Sequence, residues 1–245
     1  MSYVLSTDNL TKVYHVFKAV NSINIHVEEG DIYGFIGRNG AGKTTTLKMI
    51  SGLASPTSGS FSLFEVPFEE LNAQKVFAQV GNLIEEPGLY PDMTAFDNIY
   101  LKCICAGIKD KNYAMEILEL VDLDRTGKKK VKGFSLGMRQ RLGIALAMVG
   151  DPKLLILDEP INGLDPQGIL EIRETILKLN KERKITFIIS SHILGELSKM
   201  ATRYGIIDKG RLLKELSAEE LASQTDDLES FYLNLTGGAG YAESN

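Results

Sequence analysis

The chain has 245 residues, 44% of them hydrophobic and 24% charged, with 23 glycines and 7 prolines; this excludes disordered and collagen-like classes and predicts one compact domain carrying a smaller subdomain. A net charge of −5 gives no overall attraction to a polyphosphate backbone, so nucleic acid is not an expected partner. Cys103 and Cys105 stand too close together for a zinc knuckle or a thioredoxin-like pair and read as reduced core residues, and His15, His26 and His192 form no metal-ligand cluster in the sequence. No stretch approaches the roughly 18 uninterrupted apolar residues of a spanning helix, and the opening MSYVLSTDNL lacks the basic and apolar regions of a signal peptide. The expectation is a cytoplasmic protein that meets a membrane only through a partner.

Along the chain, Tyr3 to Asn9, Ile23 to Val27 and Ile32 to Ile36 read as short strands, with a turn at Glu29-Gly30. The third strand runs into a glycine-rich loop, and Thr44 to Leu53 then shows helical spacing, ended by the cluster Ser55-Pro-Thr-Ser-Gly59. From Pro87, Pro91 and Met93-Thr94 onward the texture becomes helical: Ala114, Ile117, Leu118 and Val121 fall on one face, and Leu142, Ala145, Leu146 and Val149 on another. Past Pro152 strand and helix alternate again, with the apolar runs Leu154 to Leu157 and Ile185 to Ile189 around a helix bearing Ile169, Ile172, Ile176 and Leu179. Continuous apolar strands between helices predict a parallel sheet covered on both faces. Arg203 to Ile207 and Leu212 to Leu216 read as further strands or edges, and the stretch Gly237 to Gly240 as a frayed end.

Gly37-Arg38-Asn39-Gly40-Ala41-Gly42-Lys43-Thr44 has the spacing of a phosphate loop between a strand and a helix. Glycines let backbone N–H groups turn inward around a triphosphate, and the helix start adds the positive end of its dipole. Lys43 is then placed to reach the outer phosphates and Thr44 to ligate Mg2+. The run Leu154 to Leu157 ends in Asp158 and Glu159, at the edge where parallel sheets bind ligands. Adjacent strand residues point to opposite faces, which predicts separate duties: Asp158 for Mg2+, Glu159 for deprotonating the attacking water. His192 follows another strand within Ser190-Ser191-His192; such a histidine can be structural, or can reach the terminal phosphate from that rim.

With these pieces in order, the chain resembles an ATP-binding cassette ATPase, the nucleotide-binding subunit of an ABC transporter, over most of its length. Phe134-Ser135-Leu136-Gly137-Met138-Arg139-Gln140 is similar to the family signature LSGGQ, differing at Phe134, Leu136 and Met138 and keeping Ser135 and Gly137. Read alone, Ser135 is a plausible helix cap. The resemblance implies that this segment opens a helix, about Met138 to Val149, which closes on the nucleotide held by the other subunit. It also implies nucleotide contacts for Gly37, Asn39, Gly40, Ala41, Gly42, Lys43, Thr44 and Thr45, a role for the Asp165 turn, and stacking of Tyr14 on adenine. Where the family carries a glutamine, Val80-Gly81-Asn82-Leu83-Ile84-Glu85 supplies Glu85, which when ionised only accepts hydrogen bonds and could approach Mg2+ or water. Glu85, the following Glu86-Pro87-Gly88-Leu89-Tyr90-Pro91 and the altered signature resemble the bacitracin-resistance and lantibiotic-immunity type of exporter.

The implied fold is α/β: a P-loop NTPase (RecA-like) core with a parallel sheet, an N-terminal antiparallel β subdomain and an inserted helical subdomain. Residues 1–85 and 151–216 form the β subdomain and core, 86–150 the helical part and 217–245 a C-terminal tail of one ABC ATPase domain. The implied activity is ATP hydrolysis with Mg2+ by a head-to-tail dimer of this chain or a related one, driving a separate transmembrane permease on the inner face of the membrane. The cargo class is a peptide antibiotic, a lipid or a drug, and residues 86–99 are the expected docking surface for the permease. The alternative is a nucleotide-switched regulatory or binding module with little turnover. A single cassette argues against the DNA-repair and translation branches, and Asn180-Lys181-Glu182-Arg183 lacks the aspartate of a guanine-reading motif.

Overall fold

The computed structural model describes residues 3–70, 73–225 and 227–237. In chain order, β1 (Tyr3–Tyr14), β2 (Phe17–Ile23), β3 (His26–Glu28) and β4 (Ile32–Ile36) lead to α1 (Lys43–Ile50), β5 (Ser58–Leu63), β6 (Val66–Pro67), α2 (Ala73–Phe77) and β7 (Val80–Leu83). Helices α3 (Ala95–Cys105), α4 (Lys111–Leu120) and α5 (Leu136–Met148) follow, then β8 (Leu154–Asp158), α6 (Pro166–Arg183) and β9 (Thr186–Ser191). The chain continues through α7 (Leu194–Leu197), β10 (Arg203–Asp208), β11 (Arg211–Ser217), α8 (Ala218–Ala222) and α9 (Leu228–Thr236). It divides into two compact units, residues 1–70 with 188–245, and residues 71–187.

The first unit holds an antiparallel sheet in the order β2-β1-β5-β6, with β3 also paired to β1. Strand β1 runs past the expected end at Asn9. That residue sits at φ 49, and the pairing with β5 slips between Asp8 and Thr11, so a bulge breaks the two-residue alternation on which a sequence reading depends. Leu5, Leu10, Val20, Ile23, Val27 and Leu63 are buried there, each contributing roughly 1.5–3 kcal/mol of hydrophobic stabilisation. In the same unit β10 lies parallel to β4, from Arg203 opposite Tyr33 to Ile206 opposite Ile36, and antiparallel to β11. Lys209 and Gly210, at φ 46 and 77, make the two-residue turn whose twist suits a tight hairpin.

A polar knot ties β11 to β3 and β4. Glu215 accepts from the His26 N–H at 2.8 Å and from the Tyr33 hydroxyl at 2.9 Å, and its other oxygen meets His26 Nδ1 at 2.9 Å. Burial, followed by the neighbouring Glu215 carboxylate, holds the Tyr33 phenol well above its ordinary pKa. The segment expected as a tail carries helices as far as it is described. A capping box of Ser217 and Glu220 opens α8, and Asp227 caps α9 by accepting from the N–H groups of Glu229 and Ser230. Of the stretch expected to fray, residues 238–240 lie outside the described residues.

The second unit pairs β7 with β8 in parallel, Val80 opposite Leu154 through Leu83 opposite Leu157, and carries α3 to α6. Thr94 and Asp97 form the capping box of α3. Cys103 on that helix is buried, but Cys105 is exposed rather than part of the core, because two helical steps of about 100° turn it away from its neighbour. Helix α6 starts at Pro166 after the Asp165 cap, and its buried stripe is Ile172, Thr175, Ile176 and Leu179. Helix α5 lies directly on β7: a side chain on Gly81 would collide with the Ala147 carbonyl, and one on Gly143 would come within 2.8 Å of Pro87 and 3.1 Å of Leu83. Arg141 on α5 meets Glu171 at 3.1 Å and donates to the Val121 carbonyl at 3.0 Å, which fastens α5 to its neighbours. Among the described residues, no helix is long and apolar enough to cross a membrane.

Candidate functional site

The fully buried strand β4 delivers the chain into residues 37–44. Gly42, at φ 111, is the N-cap of α1, and no side chain caps that end, so the helix start presents the positive end of its dipole there. A side chain on Gly42 would also come within 2.7 Å of the Ala19 carbonyl, so the position accepts only glycine. Ala41 is buried and donates to the Arg38 carbonyl at 3.1 Å, and its own carbonyl accepts from Gly210 at 2.9 Å. Asn39 and Gly40 form the exposed tip, whereas Gly37 is buried beneath it. Lys43 is only 5% exposed and folds under the loop, donating through Nζ to the carbonyls of Gly37 at 2.6 Å and Arg38 at 3.3 Å. Thr44 and Thr45 follow, half-buried, in the first turn of α1.

Two other expected residues belong to the same unit but stand on separate turns. Tyr14 ends β1 with its ring exposed and the Lys12 ammonium 5.1 Å from its centroid. His192 lies half-buried between β9 and α7, beside Ser191, whose hydroxyl accepts from the Ile193 N–H at 2.9 Å.

In the second unit, parallel pairing sets two acids side by side. Glu85 and Glu159 each follow by two residues the last registered pair, Leu83 and Leu157, and both adopt the left-handed conformation, at φ 65 and 50. Glu85, Asp158 and Glu159 line one cavity of about 730 Å³ together with Leu136, Arg139 and Gln140 of α5. Asp158 closes β8, and Glu159 lies just beyond it, outside the regular alternation of the strand. The left-handed turn at Glu159 interrupts the pleat, and both acids border the same space.

Ser135 caps α5, its hydroxyl accepting from the Met138 N–H at 3.2 Å, so the helix begins at Leu136, two residues before the expected start. Ser135 is exposed, and a side chain on Gly137 would stand 3.6 Å from the Gly168 Cα. The same Gly168 donates its N–H to Asp165 at 2.8 Å, which places the Asp165 turn against the start of α5. Sequence reasoning passed over Arg139 and Gln140. The available signal was their spacing of three and four from Leu136, which puts all three on one helical face. Arg139 donates to the Phe134 carbonyl at 2.6 Å, and Lys132, 2.7 Å from Asp92, holds that carboxyl below its ordinary pKa.

The first unit carries the phosphate-loop turn and the second an acid-bordered cavity beside a capped helix start, and comparison with known proteins identifies the family. The family model described as ABC transporter matches residues 20–162. The chain belongs to the ABC transporter family. Within this family it is an ATP-binding subunit and an ATPase, with the P-loop NTPase fold expected of an ABC cassette. It is 47% identical to the bacitracin transport ATP-binding protein BcrA of Bacillus licheniformis, across 96% of this chain and 76% of that protein. It is 42% identical to the lantibiotic transport ATP-binding protein SrtF of Streptococcus pyogenes, across 86% of this chain and 90% of that one. Among solved structures, an ATP-binding cassette of an ABC transporter in its ADP conformation superposes with a TM-score of 0.84 at 25% identity, covering 97% of this chain and 99% of that one. The resemblance to the bacitracin and lantibiotic exporter type is thus borne out.

Proposed function

We propose that this ABC cassette hydrolyses ATP with Mg2+ as one half of a head-to-tail dimer, and so powers a transmembrane permease that exports a peptide antibiotic of the bacitracin or lantibiotic class. The observation that carries the cargo class is its similarity to BcrA across nearly its whole length. In this reading Lys43, the amides of residues 37–42 and the start of α1 hold the phosphates, assisted by Thr45, while Tyr14 stacks on the adenine. Thr44 and Asp158 are the ligands for Mg2+. A hydroxyl in a first helical turn and an Asp158 carboxylate only 8% exposed at a strand end are hard oxygen donors, few in number, which suits an ion that keeps most of its water shell. When bound, the ion draws charge from the outer phosphate oxygens.

Glu159 orients the attacking water and takes its proton, and His192 donates to the terminal phosphate as its charge grows. The second copy contributes Ser135 and Gly137, at the N-terminus of its α5, to the same triphosphate, and Asp165 lines that junction. The Ser135 cap supports this arrangement, because it is exposed at the N-terminus of α5, where a helix start favours an anion. Glu85 contributes a second acceptor beside Glu159. Residues 86–99 dock the permease, with Tyr90 exposed for that contact.

Deletion of the gene from its host tests the cargo class. Sensitivity to bacitracin or to a lantibiotic should rise severalfold and be restored by the wild-type gene but not by Glu159→Gln. Unchanged sensitivity to both would reject this cargo class. ATP hydrolysis by the purified chain tests the enzymatic part separately.

A further inference from the structure

The end of β1 is fastened to the stretch that follows α1. Thr57 donates its N–H to the Thr11 carbonyl at 2.8 Å, and its hydroxyl accepts from the Val13 N–H at 3.0 Å. Between these two bonds, Lys12 sends its ammonium to the Ser55 carbonyl at 2.6 Å. That carbonyl is itself held in place, because the residues before it turn back on α1: the N–H groups of Leu53 and Ala54 donate to the Lys48 carbonyl at 2.8 and 3.0 Å. The helix that opens at the phosphate loop is therefore followed by a fixed acceptor, and Lys12 reaches that acceptor from β1.

The same ammonium lies over the Tyr14 ring, 5.1 Å from its centroid. Lys12 thus has two partners, one that anchors the charge and one that leans on it. Tyr14 pairs with Phe17 at the start of β2, two residues or about 7 Å of strand before Ala19. Ala19 stands against the phosphate loop, since a side chain on Gly42 would come within 2.7 Å of its carbonyl. Tyr14 is 45% exposed, which leaves ring surface open to a planar ligand within reach of the loop.

We infer that Lys12 is a positioning residue for the adenine base: with its ammonium anchored on Ser55, it holds one face of the Tyr14 ring and leaves the opposite face ready to stack on the base. An exposed tyrosine at a hairpin end otherwise samples several rotamers, and binding has to freeze one of them. A ring already set by a cation loses less freedom on stacking. The cation also draws the ring's negative charge toward itself, which eases the approach of an electron-rich purine on the other side. Lys12 touches neither base nor phosphate in this account; it acts through Tyr14. Its effect therefore falls on the base-dependent part of ATP affinity and spares the phosphates. The inference rests on the reading of Tyr14 as the adenine platform, and Tyr14→Ala tests that reading by itself.

Titrating the purified chain, in the presence of Mg2+, with ATP and with tripolyphosphate, which has the phosphates but no base, separates the two contributions. Tyr14→Ala should weaken ATP binding severalfold and leave tripolyphosphate unchanged. Lys12→Met keeps an unbranched stem and removes the ammonium. It should weaken ATP binding about twofold to fivefold, the span of a cation–π contact at an exposed site, with tripolyphosphate bound as in the wild type. Lys12→Arg, whose guanidinium can donate to the Ser55 carbonyl and stack on the ring, should restore ATP affinity to within about twofold of the wild type. Wild-type ATP affinity in Lys12→Met overturns the inference. So does an equal loss for ATP and tripolyphosphate, which would place Lys12 in the support of the phosphate loop, and so does a Lys12→Arg variant as weak as Lys12→Met. If Tyr14→Ala loses the preference for ATP over tripolyphosphate and Lys12→Met keeps it, the inference falls alone. If Tyr14→Ala binds ATP as the wild type does, the reading of Tyr14 falls and takes the inference with it.

Discussion

The phosphate loop and the acid rim both sit at the ends of parallel strands, yet they are built by opposite means. The loop is contiguous: Lys43 bonds to the carbonyls of Gly37 and Arg38, Ala41 to Arg38, and β4 leads straight into it. The rim is assembled from separate pieces of chain, with Glu85 beyond β7, Asp158 and Glu159 closing β8, and Leu136, Arg139 and Gln140 coming from α5. A site closed by its own backbone holds a ligand through local geometry, whereas a site brought together by register and helix packing places a base where its neighbours permit. Substitutions in the loop should therefore act on affinity, and substitutions in the rim on turnover.

The largest effect expected is that of Glu159→Gln, which should reduce ATP hydrolysis roughly 10²- to 10⁴-fold while ATP binding survives and a closed dimer accumulates on gel filtration. Normal turnover would remove Glu159 from the chemistry and erase the contrast. Lys43→Ala should weaken ATP binding by roughly 100-fold in equilibrium titration, since it removes a charge-assisted contact to phosphate along with the two bonds that shape the loop. A larger fall in kcat than in affinity would contradict the division of labour.

A pH experiment sharpens the comparison between the two units. The phenols of Tyr33, Tyr204 and Tyr232 in the loop-bearing unit, and of Tyr113 in the rim-bearing one, are raised above the ordinary value of 10.0, chiefly by burial. A raised phenol pKa means that the folded state favours the neutral form. That stabilisation is complete below about pH 10 and is lost as pH rises toward the folded-state pKa. Above pH 10, hydrogen exchange should therefore lose protection first in residues 3–70 and 188–237, and Tyr33→Phe should flatten the alkaline slope of stability.

Glu85→Gln should produce the smallest change. Removing one of the four carboxylates that line the cavity should lower turnover by no more than about twofold to threefold and leave ATP affinity nearly as it was. A drop in kcat comparable to that of Glu159→Gln would give Glu85 a share of the chemistry.

The same contrast accounts for what could be read from the residues alone. The phosphate loop was legible because eight consecutive residues contain it, and β8 because a buried parallel strand is apolar throughout. The common cavity of Asp158 and Glu159 was not legible, since the left-handed turn at Glu159 leaves no trace in a two-residue pattern. Arg139 and Gln140 were hidden for a related reason: their place depends on how α5 lies against β7. The bulge at Asn9 concealed the second half of β1, and α9 passed unnoticed because its buried stripe is only Leu228 and Tyr232. The Ser135 cap, by contrast, acts within three residues of itself and was readable as a helix start, whereas Asp165 was readable only as a turn although it caps α6.

Gly81 lets the Ala147 carbonyl of α5 come directly against β7, while at Gly143 the helix rests on the side chains of Leu83 and Pro87, which flank the segment that bears Glu85. Side chains elsewhere act as springs, absorbing small displacements by changing rotamer, but at Gly81 only backbone stands against backbone. A tilt of the helix that starts at Ser135 should therefore pass into the strand at that point with little damping, as a push rod delivers its stroke to a valve.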